Sequence, residues 1–286
     1  MQPKVVAIIQ ARMASSRLPG KVLLDIAGQP MLGLVHVRTR RARRVDDVLV
    51  ATTTDDADEP ICEYCEAHGI RFTRGSQFDV LDRYYQAARK FEADIVLRIT
   101  ADCPAIDPQL IDEAVDALRG PVNAGVGNGP QMYPDFAFDF VANRLPPPFH
   151  RTYPIGLDVE ACTFAALERA WKDGSDPQHR EHVMPYLYEG VELSSGSPRL
   201  ATGVSSRGFR VALLNTTPDY GSYRWTVDTP EDLEFMRAVY GRLGGRNDFA
   251  WTEVLKLVGD DPKLSEINAG VRHKTLNDVD ERAWKR

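Results

Sequence analysis

Val5-Val6-Ala7-Ile8-Ile9 runs straight into Gln10-Ala11-Arg12-Met13-Ala14-Ser15-Ser16-Arg17-Leu18-Pro19-Gly20-Lys21, and the reading of this junction decides the fold. A short unbroken apolar run suits a strand buried on both faces, as in a parallel sheet covered by helices. The segment after it carries two arginines, a lysine and two serines, with Pro19-Gly20 to bend the backbone so that N–H groups converge. That composition suits a phosphate-binding loop. Open α/β sheets bind ligands at the carboxyl ends of their strands, so a polyanion pocket is expected beyond Gln10. The spacing is neither G-x-x-x-x-G-K-[ST] nor G-x-G-x-x-G, which weighs against a generic nucleoside-triphosphatase or a dinucleotide fold. The competing reading is a solvated surface loop that happens to be basic.

Outward from this junction, strand and helix patterns alternate as far as Leu118. Helical stretches over Met31–Arg43, Glu59–Ala67, Val80–Phe91 and Pro108–Leu118 separate strand-like runs at Val48–Thr53, Arg71–Thr73 and Ile95–Ile99. This is a βαβ series, in which the strand ends and their loops gather on one edge of a parallel sheet. The loops Gln10–Lys21 and Thr100–Pro108 are therefore expected side by side. Between Gly120 and Pro154 the composition turns to Gly, Pro, Asn and aromatic residues, with Pro146-Pro147-Pro148 barring helix and central strand alike. Regular patterns resume with strands at Gly156–Val159, Phe209–Leu214 and Tyr223–Val227. Helices are expected over Phe164–Lys172, Glu181–Tyr188, Glu231–Leu243 and from Trp251 to about Gly259.

The 286 residues suffice for a large core. The net charge of -6 argues against wholesale wrapping by nucleic acid, so any polyanion is gripped locally. The dense basic run Arg38–Arg44 lacks interleaved aromatics for base stacking and reads as a solvated helix end. Four cysteines are too few and too scattered for a disulfide framework, which suggests a reducing cytoplasm. Cys62-x-x-Cys65 falls in a helical stretch with no second ligand pair at zinc spacing, so it reads as two helix-face thiols. Nothing approaches a signal peptide or a membrane span.

Two carboxylates carry the chemistry. Asp102 ends the strand-like Arg98-Ile99-Thr100-Ala101 and stands level with the basic loop. Two anions in one pocket call for a bridging divalent cation, most often Mg²⁺. In Arg224-Trp225-Thr226-Val227-Asp228-Thr229-Pro230-Glu231-Asp232 a helix start explains Thr229 to Asp232. It leaves Asp228 over as a second metal ligand.

Six motifs now stand in order: Ile9–Met13 with Arg17–Lys21; Arg74-Gly75-Ser76 with Asp79–Tyr85; Arg98–Pro104; Tyr153-Pro154-x-Gly156-x-Asp158-x-Glu160; Glu181-His182-Val183; and Arg224–Asp232. Together they resemble the cytidylyltransferases of the spore coat polysaccharide biosynthesis type, relatives of the acylneuraminate and ketodeoxyoctulosonate cytidylyltransferases, over roughly Val5 to Tyr240. Met184 stands where that resemblance leads one to expect Thr.

The resemblance implies a Rossmann-like, doubly wound, mostly parallel α/β sheet. A nucleotidyltransferase domain would span 1–245, with an irregular or antiparallel dimerisation lobe inserted at about 120–195 and a helical or irregular extension over 246–286. It implies transfer of CMP from CTP to an acidic sugar or related small acceptor by a cytoplasmic homodimer that takes neither nucleic acid nor membrane as a partner. Arg12, Lys21 and Asp102 would be catalytic, and Asp102 and Asp228 would hold Mg²⁺. Gln10, Ala11, Arg12, Ser16, Arg17, Lys21, Gly75, Ser76, Asp79 and Thr100 would bind the nucleotide. Asn143, Tyr153, Gly156, Asp158, Glu160 and His182 would form the acceptor side, although Glu160 also suits an ion pair with a nearby arginine and His182 a satisfied interior histidine. Two further readings stand beside this one: a nucleotide-sugar-dependent glycosyltransferase, with Asp55-Asp56-x-Asp58 as its metal motif, and a nucleotide-binding protein without turnover.

Overall fold

A computed structural model describes residues 2–120 and 136–272. The chain begins with strand β1 (Val5–Gln10), wholly apolar up to Ile9 and buried throughout that run. A short hairpin, β2 (Asp25–Ile26) and β3 (Gln29–Pro30), leads into helix α1 (Met31–Arg40). Next come β4 (Asp47–Thr53), α2 (Glu59–Ala67), β5 (Phe72–Gly75), α3 (Val80–Lys90), β6 (Ile95–Thr100) and α4 (Pro108–Arg119). Beyond 135 follow β7 (Phe140–Ala142), β8 (Glu160–Thr163), α5 (Phe164–Asp173), α6 (Pro177–His182) and α7 (Pro185–Tyr188). The described chain closes with β9 (Ser194–Ser197), β10 (Leu200–Val204), β11 (Arg210–Leu214), α8 (Pro230–Arg242), α9 (Trp251–Asp260) and α10 (Lys263–Glu266).

Among the described residues nine strands make one sheet in the order β5-β4-β1-β6-β8-β7-β11-β10-β9. Strands β5, β4, β1 and β6 are parallel, and β8 pairs antiparallel with both β6 and β7. Register places Gln10 opposite Thr100 on one side and Ala51 on the other. The loops after β1 and β6 therefore leave the sheet at the same level, as the βαβ reading requires. Alternate strand residues feed two apolar clusters, Val5, Ala7 and Ile9 into one and Val6 and Ile8 into the other. Helices cover both faces, which accounts for strands that are apolar at every position.

Helix starts follow local chemistry. Asp79, Asp107 and Thr163 each accept a backbone N–H of the first turn of α3, α4 and α5. At α8, Thr229 is the N-cap with Pro230 in the first turn, as expected from the sequence, and Asp232 adds a reciprocal capping box.

Other expectations shift. The strand expected at Gly156–Val159 lies at Glu160–Thr163; just before the earlier stretch, Ile155 makes one isolated bridge to Arg224. That bridge is the one strand-type bridge of the Tyr223–Val227 run among the described residues, so the run is extended without being a strand. The helix expected over Glu181–Tyr188 is two short helices broken at Val183, whose φ is 72°, and restarted at Pro185. Of the irregular stretch 120–154, residues 121–135 lie outside the described residues, and Phe140–Ala142 joins the middle of the sheet as β7. Arg38 also departs from the solvated helix end read from sequence. It is 1% exposed and donates to the carbonyls of Ile106 and Phe249.

Candidate active site

The loop from β1 to the hairpin is pinned at both ends. The Ala11 N–H bonds the Ala51 carbonyl, and the N–H groups of Ser15 and Gly20 converge on the Met13 carbonyl at 2.9 Å. Gly20 sits at φ 70°, a conformation that favours glycine. The Met13 N–H donates to Asp58 Oδ1 at 2.6 Å, and Asp58 Oδ2 accepts the Thr53 hydroxyl. Asp58 is 2% exposed, so the carboxylate that would belong to a glycosyltransferase metal motif instead ties the basic loop to β4. Asp55 is likewise used, capping the turn that precedes α2.

From the end of this loop Lys21 reaches inward. Its Nζ donates to Asp102 Oδ2 at 2.7 Å, to Asp228 Oδ1 at 2.8 Å and to the Val227 carbonyl at 2.8 Å. The two carboxylates separated by more than a hundred residues in sequence thus share one ammonium. The loop carrying Asp102 is stitched to the strand-like run before Asp228, because the Asp102 carbonyl accepts from Val227 N and from Thr226 Oγ1.

Electrostatics match the geometry. Burial disfavours the Lys21 ammonium, but Asp102 and Asp228 outweigh it and raise its pKa above the ordinary value. Burial also opposes ionisation of Asp228, yet Lys21, Arg17 and Arg224 hold it well below the usual carboxylate range. Arg17 Nη2 lies 3.0 Å from Asp228 Oδ2, and Arg224 Nη2 donates to the same oxygen at 2.8 Å.

The donor set fits Mg²⁺. Asp102 and Asp228 each turn one oxygen to the point that the Lys21 ammonium occupies. Mg²⁺ characteristically takes one or two protein carboxylates and completes its shell with phosphate oxygens and water.

The remaining predicted residues divide. Gly75 ends β5 and Ser76 follows it, with Ser76 Oγ accepting the N–H groups of Phe78 and Asp79. Arg12 approaches Arg83 closely enough to help depress its pKa. Asp79, expected to bind the nucleotide, caps α3 and pairs with Arg180 of α6. Gln10 Oε1 accepts Arg98 Nε at 3.1 Å, and Thr100 Oγ1 contacts Cys103 Sγ.

On the acceptor side several side chains are occupied within the fold. Glu160 pairs with Arg98 directly across β6 and β8, the arginine partner its sequence allowed for. Asn143 is buried, with its amide bonded to the Leu157 carbonyl and the Val159 N–H. Tyr153 is buried against Trp251. Gly156, at φ 104°, lies so near the Thr226 backbone that a Cβ would sit 2.4 Å from its nitrogen. Asp158 accepts from Arg151, and His182 closes α6.

Sequence reasoning missed three contributors. Arg83 is 3% exposed, donates to the Ser76 carbonyl and has no partner for its Nε among the described residues. Burial, with Arg12 nearby, pulls its pKa down to about 10. Its position on the buried side of α3, one turn after Asp79, was the available signal. Arg224 lay in a quoted motif but had no role assigned. Asn268 lies in a polar tail whose pattern carries no signal.

Several known proteins are similar to this chain. The spore coat polysaccharide biosynthesis protein SpsF of Bacillus subtilis is 27% identical over 90% of this chain and 95% of its own length. A 3-deoxy-manno-octulosonate cytidylyltransferase from Geobacter metallireducens is 38% identical over 81% of this chain and 95% of its own. The solved structure of a cytidylyltransferase from Leptospira borgpetersenii superposes with a TM-score of 0.77 at 29% identity, covering 95% of this chain and all of that one. The family described as cytidylyltransferase matches residues 6–240, a span that holds Lys21, Asp102 and Asp228 together. On that match this chain belongs to the cytidylyltransferase family.

Proposed function

We propose that the protein transfers CMP from CTP to a hydroxyl of an acidic sugar of the nonulosonic or octulosonic type, with Mg²⁺, as a cytoplasmic homodimer serving surface polysaccharide synthesis. The observation that carries this reading is the Lys21 ammonium held between Asp102 and Asp228. A phosphoryl-transfer site needs cations that neutralise charge on the phosphate oxygens and carboxylates that fix a metal, with no covalent nucleophile. The acceptor oxygen attacks the α-phosphorus in line, the bond to the bridging oxygen of pyrophosphate breaks, and the hydroxyl proton is released.

Arg12, Ser16, Arg17 and Lys21 would hold the triphosphate, and Asp102 and Asp228 would hold Mg²⁺, which supplies charge neutralisation and fixes the phosphate orientation when bound. Gly75, Ser76 and the buried Arg83 would form the wall nearest the nucleoside. The structural use of Asp55 and Asp58 removes the support for the glycosyltransferase reading. The test is pyrophosphate release by purified protein with Mg²⁺, each nucleoside triphosphate in turn and a panel of acidic sugars. CTP-dependent release is expected; UDP-sugar consumption, or binding without turnover, would overturn the reading.

A further inference from the structure

The C-terminal segment beyond the family match touches the site from two directions. Asn268 is 5% exposed, and its Nδ2 donates to the Arg224 carbonyl at 3.0 Å and to Asp232 Oδ1 at 2.9 Å. Asp232 is fully buried and is the hub of this corner. Its Oδ1 also accepts Arg224 Nε, and its Oδ2 accepts Arg224 Nη2 and the N–H groups of Asp228 and Thr229. Arg224 in turn donates to Asp228 Oδ2. From the other side, Arg17 Nη1, whose guanidinium also faces Asp228, donates to the Arg272 carbonyl at 3.2 Å. The segment is anchored by Leu264, 1% exposed, and by Ile267 packed on the main core.

We propose that Asn268 is a positioning residue for the Asp228 carboxylate, acting through Arg224 and Asp232, and that residues 263–272 thereby complete the site. The physical reason is the number of donors spent on one acidic corner. A buried carboxylate is held in one orientation only while its lone pairs are satisfied, and Asn268 gives Asp232 Oδ1 a second donor beside Arg224 Nε, from outside the matched family span. Partners of this kind, one step removed from a metal ligand, typically change metal affinity by about 10- to 100-fold when lost. The effect on metal affinity rests on the cytidylyltransfer reading; the effect on local order does not.

The experiment compares wild type with Asn268→Ala and with Asn268→Ser, which keeps one donor and guards against a variant that fails to fold. Amide hydrogen exchange of residues 225–229 in ligand-free protein is expected to rise at least about tenfold in Asn268→Ala, while β1 stays protected. Unchanged exchange overturns the proposal whatever the substrate. Mn²⁺ affinity in the presence of CTP, followed by electron paramagnetic resonance, is expected to fall about tenfold. It should fall no further when Asn268→Ala is added to Asp228→Asn. Full additivity of the two substitutions would mean that Asn268 does not act through Asp228. If wild type takes up no Mn²⁺ with CTP, the cytidylyltransfer reading is what fails, and the exchange measurement still decides the role of Asn268.

Discussion

Lys21 shows how much one side chain carries. Its ammonium balances two carboxylates that would otherwise repel each other in a partly buried pocket, and it stands where phosphate oxygens would need a cation. Lys21→Ala and Asp102→Asn are each expected to lower turnover by about 10²- to 10³-fold, read as pyrophosphate release, with the far-ultraviolet dichroism of the folded protein retained. Asp228 adds a pH signature. Its folded pKa lies below the ordinary 3.8, so the stability it contributes is present above about pH 4 and is lost as the pH falls toward the depressed value. The melting-temperature gap between wild type and Asp228→Asn is therefore expected to be widest near neutrality and to narrow as the pH falls below about 4. A constant gap across that range would show that the ion pairs do not contribute as described. At this scale Lys21, Asp102 and Asp228 were legible, because charge and position relative to strand ends suffice to pick them. The partners of Asn143, Tyr153 and Gly156 within the fold were not legible, because the same residue types serve packing and binding equally well.

Among elements, the tie between the basic loop and β4 is the most exposed to test. Asp58 holds the Met13 N–H and the Thr53 hydroxyl, so Asp58→Ala leaves one buried and one half-buried donor unsatisfied. The expected cost is about 1–3 kcal/mol of stability, measured by urea unfolding, together with a raised KM for CTP as the loop loosens. Elements with strong local signals were readable from sequence, as β1, β4, β6 and the capped helices α3, α4 and α8 show. Strand β7 is three residues long and β9 reads Ser-Ser-Gly-Ser, so neither has enough apolar alternation to register as a strand. Tyr223–Val227 has strand composition, yet tertiary context gives it backbone partners only at isolated points, which no local pattern records.

For the whole molecule, the seam between β6 and β8 joins the parallel half of the sheet to the mixed half. Arg98 and Glu160 face each other across it with little exposure, and burial of Arg98 is outweighed by Glu160, which raises its pKa. Glu160→Ala would strand a buried guanidinium and is expected to cost about 3–5 kcal/mol, seen as a lower urea midpoint with unchanged slope. Because Arg98 also holds Gln10, the substitution should weaken nucleotide binding from a distance, which calorimetry with CTP would detect. At the far margin of the sheet, β9 exposes all four of its side chains, and every one is serine or glycine. A second chain aligning there would find backbone groups to bond but almost no hydrocarbon to remove from water, so lengthening the sheet from one molecule into the next is a poor route to self-association. Any lasting pairing of two copies must draw its adhesion from a different surface.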